Sequence, residues 1–240
     1  MPLYRYVKSA PGLPPRKKKS RWLSLGLMGL GALILAWVTW PILSFSLTSA
    51  DLFAQTVTPV SDASQLSPVA YAATGQTSGG SDFTNANAWF PTSPQKKVNS
   101  QVNTYLLSIP KLKISDATVT VAGDDLAVSL VHYGGTAVPG EYGNTVIFGH
   151  STLPQFYNPK NYKTIFSLLP TLKDGDEIDV TYDGISYVYK VFDMTVSEPT
   201  DLSALEQKFD DSYLTLITCV PPGTYWQRLH VKAKLVRPAV

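Results

Sequence analysis

The sequence predicts a mainly β domain, a closed or nearly closed barrel with a few short helices, preceded by one transmembrane helix. Three observations carry this. Residues 22–40 are apolar and free of charge, a polar and almost uncharged stretch follows, and seven or eight short apolar or alternating segments crowd the region from residue 105 to 236.

The apolar run is bracketed by Trp22 and Trp40. A helix rises about 1.5 Å per residue, so roughly 20 residues cross a hydrocarbon core of about 30 Å. Tryptophans at both ends suit the two interfaces, and Arg16, Lys17, Lys18, Lys19 and Arg21 before the run predict a cytoplasmic N-terminus. The expected organisation is a basic N-terminus over 1–21 and a signal anchor over 22–47. Two rival readings are a signal peptide cut near Thr48-Ser49-Ala50 and a buried core helix; the first has a shorter apolar core, and the second lacks a polar face here.

Residues 48–97 read as an extracellular spacer. From 51 to 95 the only charges are Asp51, Asp62 and Asp82, and residues 74–81 are almost pure linker chemistry. Such a segment cannot bury enough apolar surface to offset its chain entropy. Phe83, Trp89 and Phe90 are the exceptions, and are expected to dock on the domain as an arm.

Residues 98–240 are expected to form the domain. Strands are predicted over 105–109, ending at Pro110, over 117–121, and over the apolar run 144–148. Segments 177–182 and 185–192 flank Asp183-Gly184, a hairpin signal because both turn positions need positive φ. Residues 214–218 form another apolar strand, and 229–236 alternate in part. Asp201 is expected to cap a short helix through Leu202, Leu205 and Phe209, and 164–168 to form another. That many strands in so short a domain favour a closed barrel.

Composition excludes some functions. Net charge is +2, and outside the N-terminal cluster the chain is mildly acidic, so no basic face is left for nucleic acid. The chain has one cysteine, which rules out an internal disulfide and any multi-cysteine metal site. Asp124, Asp125 and Glu141 lie in loops without forming an obvious carboxylate cluster. No metal or cofactor is expected.

Cys219 follows an apolar strand and precedes the turn-rich Val220-Pro221-Pro222-Gly223. A free cysteine there reads either as a buried small hydrophobe or as a reactive thiol. His150 also ends an apolar strand, so the two strand ends could share one rim and an imidazole could move the proton of the thiol. Arg228, nine positions after Cys219, opens the last strand, where a guanidinium could hold an oxyanion or a substrate backbone. Each also has a structural reading: a satisfied histidine, or an ordinary surface arginine.

The motifs together resemble a known family. Thr215-Leu216-Ile217-Thr218-Cys219 resembles the Thr-Leu-x-Thr-Cys signature of sortases. Gly149-His150 resembles the family's histidine motif, and Arg228-Leu229 its arginine motif, in the same order. Papain-like and NlpC-like peptidases place Cys before His, and no cysteine precedes His150 here. Residues 132–140, beginning His132-Tyr133 and containing Thr136, resemble a His-Tyr-Pro-Gly-Thr segment with Gly134 in place of proline. The Pro221-x-Gly223 spacing is closest to the pilus-type and related classes, C, D and E. The Asp-Pro-aromatic lid motif of pilus-type enzymes is not matched, because Asp82-Phe83 lacks the proline.

The resemblance, over about residues 105–236, implies an eight-stranded barrel and a membrane-anchored cysteine transpeptidase. Cys219 would cleave a Leu-Pro-x-Thr-Gly-like sorting signal through a thioester. His150 would carry protons, Arg228 would steady the oxyanion, and Thr218 is a weaker candidate for a substrate or oxyanion contact. The implied partners are surface proteins with a C-terminal sorting signal, an amine acceptor (a peptidoglycan stem peptide or a pilin lysine), and membrane lipid around the N-terminal helix. Two alternatives stay open: a cysteine hydrolase on the same scaffold, and a non-catalytic peptide-binding barrel. His132 is expected to be non-catalytic, and His230 to be a surface residue.

Overall fold

The structure is a computed structural model that describes residues 18–53, 84–89, 93, 95–96 and 102–236. The expected spacer falls mostly outside these residues, as do Phe83 and Phe90.

The single α-helix among the described residues, α1, runs Lys18–Phe53. Its segment Trp22–Leu47, 26 residues with mean hydropathy 1.8, is long and apolar enough to cross a membrane. Pro41 lies inside the helix, where it cannot donate an N–H, and Ser44 Oγ donates to the Pro41 carbonyl at 3.1 Å.

The eight strands are β1 (Thr104–Ile109), β2 (Ile114–Val121), β3 (Leu130–His132), β4 (Gly143–Phe148), β5 (Glu177–Tyr182), β6 (Ile185–Ser197), β7 (Ser212–Val220) and β8 (Gln227–Leu235). They close into a barrel in the order β1-β2-β3-β4-β7-β8-β6-β5. The expected closed eight-stranded barrel is what forms. β3 escapes sequence detection because three residues carry no period, and its pairing, parallel to β2 and antiparallel to β4, is non-local. The β5–β6 hairpin turns at Asp183 and Gly184 with φ of 50° and 75°, as its sequence demands. Neither expected helix forms: residues 164–168 are a run of turns followed by a 3-10 turn, Leu169–Thr171, and the helix expected after Asp201 shrinks to the 3-10 turn Ser203–Leu205. Pro170 sits in the first, and Asp201 Oδ1 accepts from Ser203 N beside the second.

Alternation along β4 and β7 fills two separate apolar layers. Ile147, Leu214 and Leu216 face a core with Leu107, Ile165 and Phe166. Val146, Phe148, Ile217 and Cys219 face a second cluster with Trp89, Ala86, Leu126 and Ala204. Both faces of these central strands are therefore covered, which explains their near-continuous apolar runs.

Candidate functional site

β4 and β7 run parallel, with Phe148 opposite Ile217 as the last strand pair. The ladder continues past it: Gly149 N donates to Ile217 O at 3.1 Å, and Thr218 Oγ1 donates to Gly149 O at 2.8 Å. His150 and Cys219 are the next residues along the two neighbouring strands. Gly149 is required by packing. A Cβ there would meet Phe166 Cδ2 at 2.4 Å and Leu130 Cδ2 at 2.7 Å. On the other side of β7, Cys219 pairs directly with Arg228 of β8. Three sequence-distant residues thus occupy the same level of three adjacent strands.

Arg228 Nη1 donates to Cys219 Sγ at 3.3 Å, and also to Tyr225 O at 3.3 Å and Gln227 O at 3.4 Å. The arginine is 2% exposed, and its buried Nε has no hydrogen-bond partner among the described residues. Cys219 is itself 2% exposed. Burial pushes its thiol up to about 11, against an opposing pull from Arg228. Ser151 Oγ donates to Cys219 O at 2.6 Å, and Phe166 N donates to His150 O at 3.0 Å, which fixes both backbones.

The cover over this level is Trp89, at 1% exposure. Its ring lies 5.0 Å from Arg228 Cζ, 5.9 Å from the His150 ring and 5.5 Å from Phe148, edge-on to the last. Of the three aromatics expected to dock, Trp89 does so. Its segment is tied down by polar bonds. Ala86 N donates to Asp124 O, Leu126 N to Thr84 O, and Asn87 Nδ2 to Asp124 Oδ1. Gln95 clamps the far end, with Nε2 on Gly123 O and Oε1 on Gly134 N, each at 3.0 Å.

The other expectations divide. Thr218 is fully buried and its hydroxyl donates to Gly149 O, so it fixes the end of β4 next to His150. His230 is not a surface residue: it is 1% exposed, with Nε2 3.2 Å from Ser197 Oγ. It shares a sheet face with Arg228, and chain leaving β6 covers that face, a long-range event invisible in the strand pattern. His132 belongs to β3, its nitrogens bonded to Tyr105 and Thr136 at 3.1 and 3.0 Å. Burial lowers both His132 and His230 to about 4. Among the described residues no cluster of metal-ligating side chains is present.

Comparison with known proteins points one way. The family description "Sortase domain" matches residues 107–236. Among solved structures, a lid mutant of sortase A from Corynebacterium diphtheriae is 29% identical, with 58% of this chain and 73% of that one covered and a TM-score of 0.50. Sortase C-1 from Actinomyces oris is 29% identical, with 58% and 77% covered and a TM-score of 0.50. Sortase C1 from Streptococcus agalactiae is 27% identical, with 59% and 72% covered and a TM-score of 0.50. No curated protein matches the chain.

Proposed function

Because this chain belongs to the sortase family of cysteine transpeptidases, we propose that Cys219 is its nucleophile, His150 its proton carrier and Arg228 its oxyanion holder, acting on a Leu-Pro-x-Thr-Gly-like sorting signal. The observation that carries the reading is the register: Cys219 lies opposite Arg228 on β8 and beside the end of β4 that bears His150.

In the first half-reaction the thiolate of Cys219 attacks the carbonyl carbon of the threonyl–glycyl bond. The C–S bond forms, the C–N bond breaks, and His150 gives its proton to the departing glycine amine. In the second, an incoming amine attacks the thioester carbon and His150 takes its proton. The new C–N bond replaces C–S, and the proton returns to sulfur. Arg228 faces the negative charge on oxygen in both steps, and its unpartnered buried Nε leaves a donor for that purpose.

Trp89 supports a closed resting state. With the indole on Arg228 and against His150, a donor peptide reaches Cys219 only when the segment around Trp89 moves off. We read that segment as a lid, built without the Asp-Pro-aromatic motif. Its opening would re-admit water, relieve the desolvation that holds the thiol protonated, and leave the pull of Arg228 dominant.

We place the enzyme in the cell membrane through the segment Trp22–Leu47, single-pass, with a cytoplasmic N-terminus, a spacer over 48–97 and a catalytic domain over 98–240 outside. Protease added to intact cells should cut the spacer; protection there would reverse the orientation.

The deciding experiment is mass spectrometry of the full chain mixed with a sorting-signal peptide, with and without an amine. The expected result is an acyl-enzyme at Cys219 that the amine converts to a transpeptidation product. Conversion to free acid alone would indicate a hydrolase. Unchanged function in Cys219→Ala would indicate a binding barrel.

A further inference from the structure

Away from the level of Cys219, the outer face of the sheet carries a second recess. It is a cleft of about 320 Å³ bounded by β6, β7, β8 and residues 203–210 of the connection from β6 to β7. Thr215, which lines it, precedes Cys219 by four residues on β7, about 13 Å at a strand rise of about 3.3 Å per residue. Ala204 is common to both places: it lines the cleft and packs in the apolar cluster of Cys219.

The walls of the cleft are fixed to one another. Buried Asn144 donates from Nδ2 to Ala204 O at 2.9 Å, and its Oδ1 accepts from Thr215 Oγ1 at 2.8 Å. Phe192 is the extra residue of a bulge in β6 against β8, which lets Phe192 and Asp193 both line the cleft. The Phe192 ring is 48% exposed and stands 6.0 Å from the ring of Tyr213, tilted by 55°, so the two rings make an open corner.

The charges around this corner favour neither sign. Asp193, Glu206 and Asp210 supply carboxylates, and Lys208 and Lys232 supply ammonium groups. Asp193 and Lys232 pair with each other at 3.0 Å, and Asp210 accepts from the Tyr213 hydroxyl at 3.0 Å. Glu206 and Lys208 form no ion pair among the described residues. A charged ligand of either sign therefore meets one repelling set. Carboxylates only accept hydrogen bonds and ammonium groups only donate them, whereas a ligand hydroxyl does both. Exposed aromatic faces take the C–H face of a saturated ring.

We propose that this cleft is a binding site for a neutral oligosaccharide, with one sugar ring lying on Phe192 and its hydroxyls shared between Glu206 and Lys208. The site is separate from the acyl-transfer chemistry and takes no part in it. Outside the membrane, where the domain is placed above, it tethers the barrel to surface glycan; the binding itself does not depend on that placement.

The test is calorimetric titration of the full chain, held in a detergent without a sugar headgroup. The probes are a tetramer of β-1,4-linked N-acetylglucosamine, cellotetraose, trilysine and triglutamate. At least one saccharide should bind with a dissociation constant on the order of 1 mM or tighter, and neither charged peptide should match it. Phe192→Ala should weaken that binding about tenfold and Glu206→Ala about fivefold, while Phe192→Trp, which keeps a flat face, should retain it. Melting temperatures should stay within about 2 °C, because these side chains are exposed. The saccharide that binds more tightly shows whether the acetamido group is read. No binding of either saccharide, equal affinity in Phe192→Ala, or tighter binding of trilysine or triglutamate would overturn the proposal.

Discussion

Arg228 Nη1 lies 3.3 Å from Cys219 Sγ, and the two residues are direct partners across β7 and β8. The guanidinium is thus the nearest charge to a thiol that burial otherwise drives up to about 11. Removing it takes away the one downward pull. Arg228→Ala should move the pH profile of Cys219 alkylation further upward and cut acyl-enzyme formation by about 10²–10³, the usual range for loss of one oxyanion donor. Arg228→Lys should restore the alkylation profile more than the acylation rate, since it keeps charge but not the fork. An unshifted profile in Arg228→Ala would contradict the geometry.

Trp89→Ala should uncover the site. Relief of burial lowers the thiol toward its ordinary value of about 8.5, so the alkylation midpoint moves down and the rate at pH 8 rises about tenfold or more. Asn87→Ala, which loosens the tie to Asp124 without touching the site, should give a smaller change in the same direction. Peptide turnover should increase in both. Equal alkylation rates in all three proteins would mean that the segment does not guard Cys219.

Gly149→Ala tests how His150 is held. The added methyl collides with Phe166 and Leu130. Overpacking of this kind costs roughly 1–3 kcal/mol, which lowers the melting temperature by about 2–4 °C per kcal/mol in a chain of this size. Transfer should fall further than stability explains, approaching the loss in His150→Ala, about 10²–10⁴ for a missing acid–base group. Calorimetry and single-turnover kinetics on the same samples separate the two effects.

His132 and His230 predict an acid limb in stability. Burial holds both near 4 in the folded protein, while unfolded histidine titrates near 6.5. As pH falls below about 6.5 the unfolded chain takes up protons that the folded one refuses until about 4. Stability should therefore decline across that window, by about 1.4 kcal/mol per pH unit for each site. Replacing either residue with Gln should flatten the slope in melts recorded from pH 7 to 4, whatever it does to the value at pH 7. An unchanged slope would show that the ring is not held neutral.

Much of this was legible in the chain. Strands β4 and β7 announce themselves as apolar runs because both their faces are buried, and Asp183-Gly184 announces its hairpin because few other pairs accept two positive φ values. Other features were not. β3 is three residues long and exists only because β2 and β4 flank it. His230 sits in an alternating strand whose outer face would be solvent-exposed had the chain after β6 not folded back over it. Trp89 stands out as an aromatic in a polar stretch, but nothing local says that its ring rests on Arg228.

By itself, then, the sequence determined the β texture, the apolar N-terminal helix, and the order His150, Cys219, Arg228, all of which are local patterns of polarity and spacing. Only the tertiary structure decided that these three residues share one level of the sheet, that Thr218 braces β4, and that Trp89 packs on Arg228 and His150. The physical reason is that register between strands distant in sequence is set by packing on both faces and by hydrogen bonds such as Thr218 to Gly149, which no single segment encodes alone.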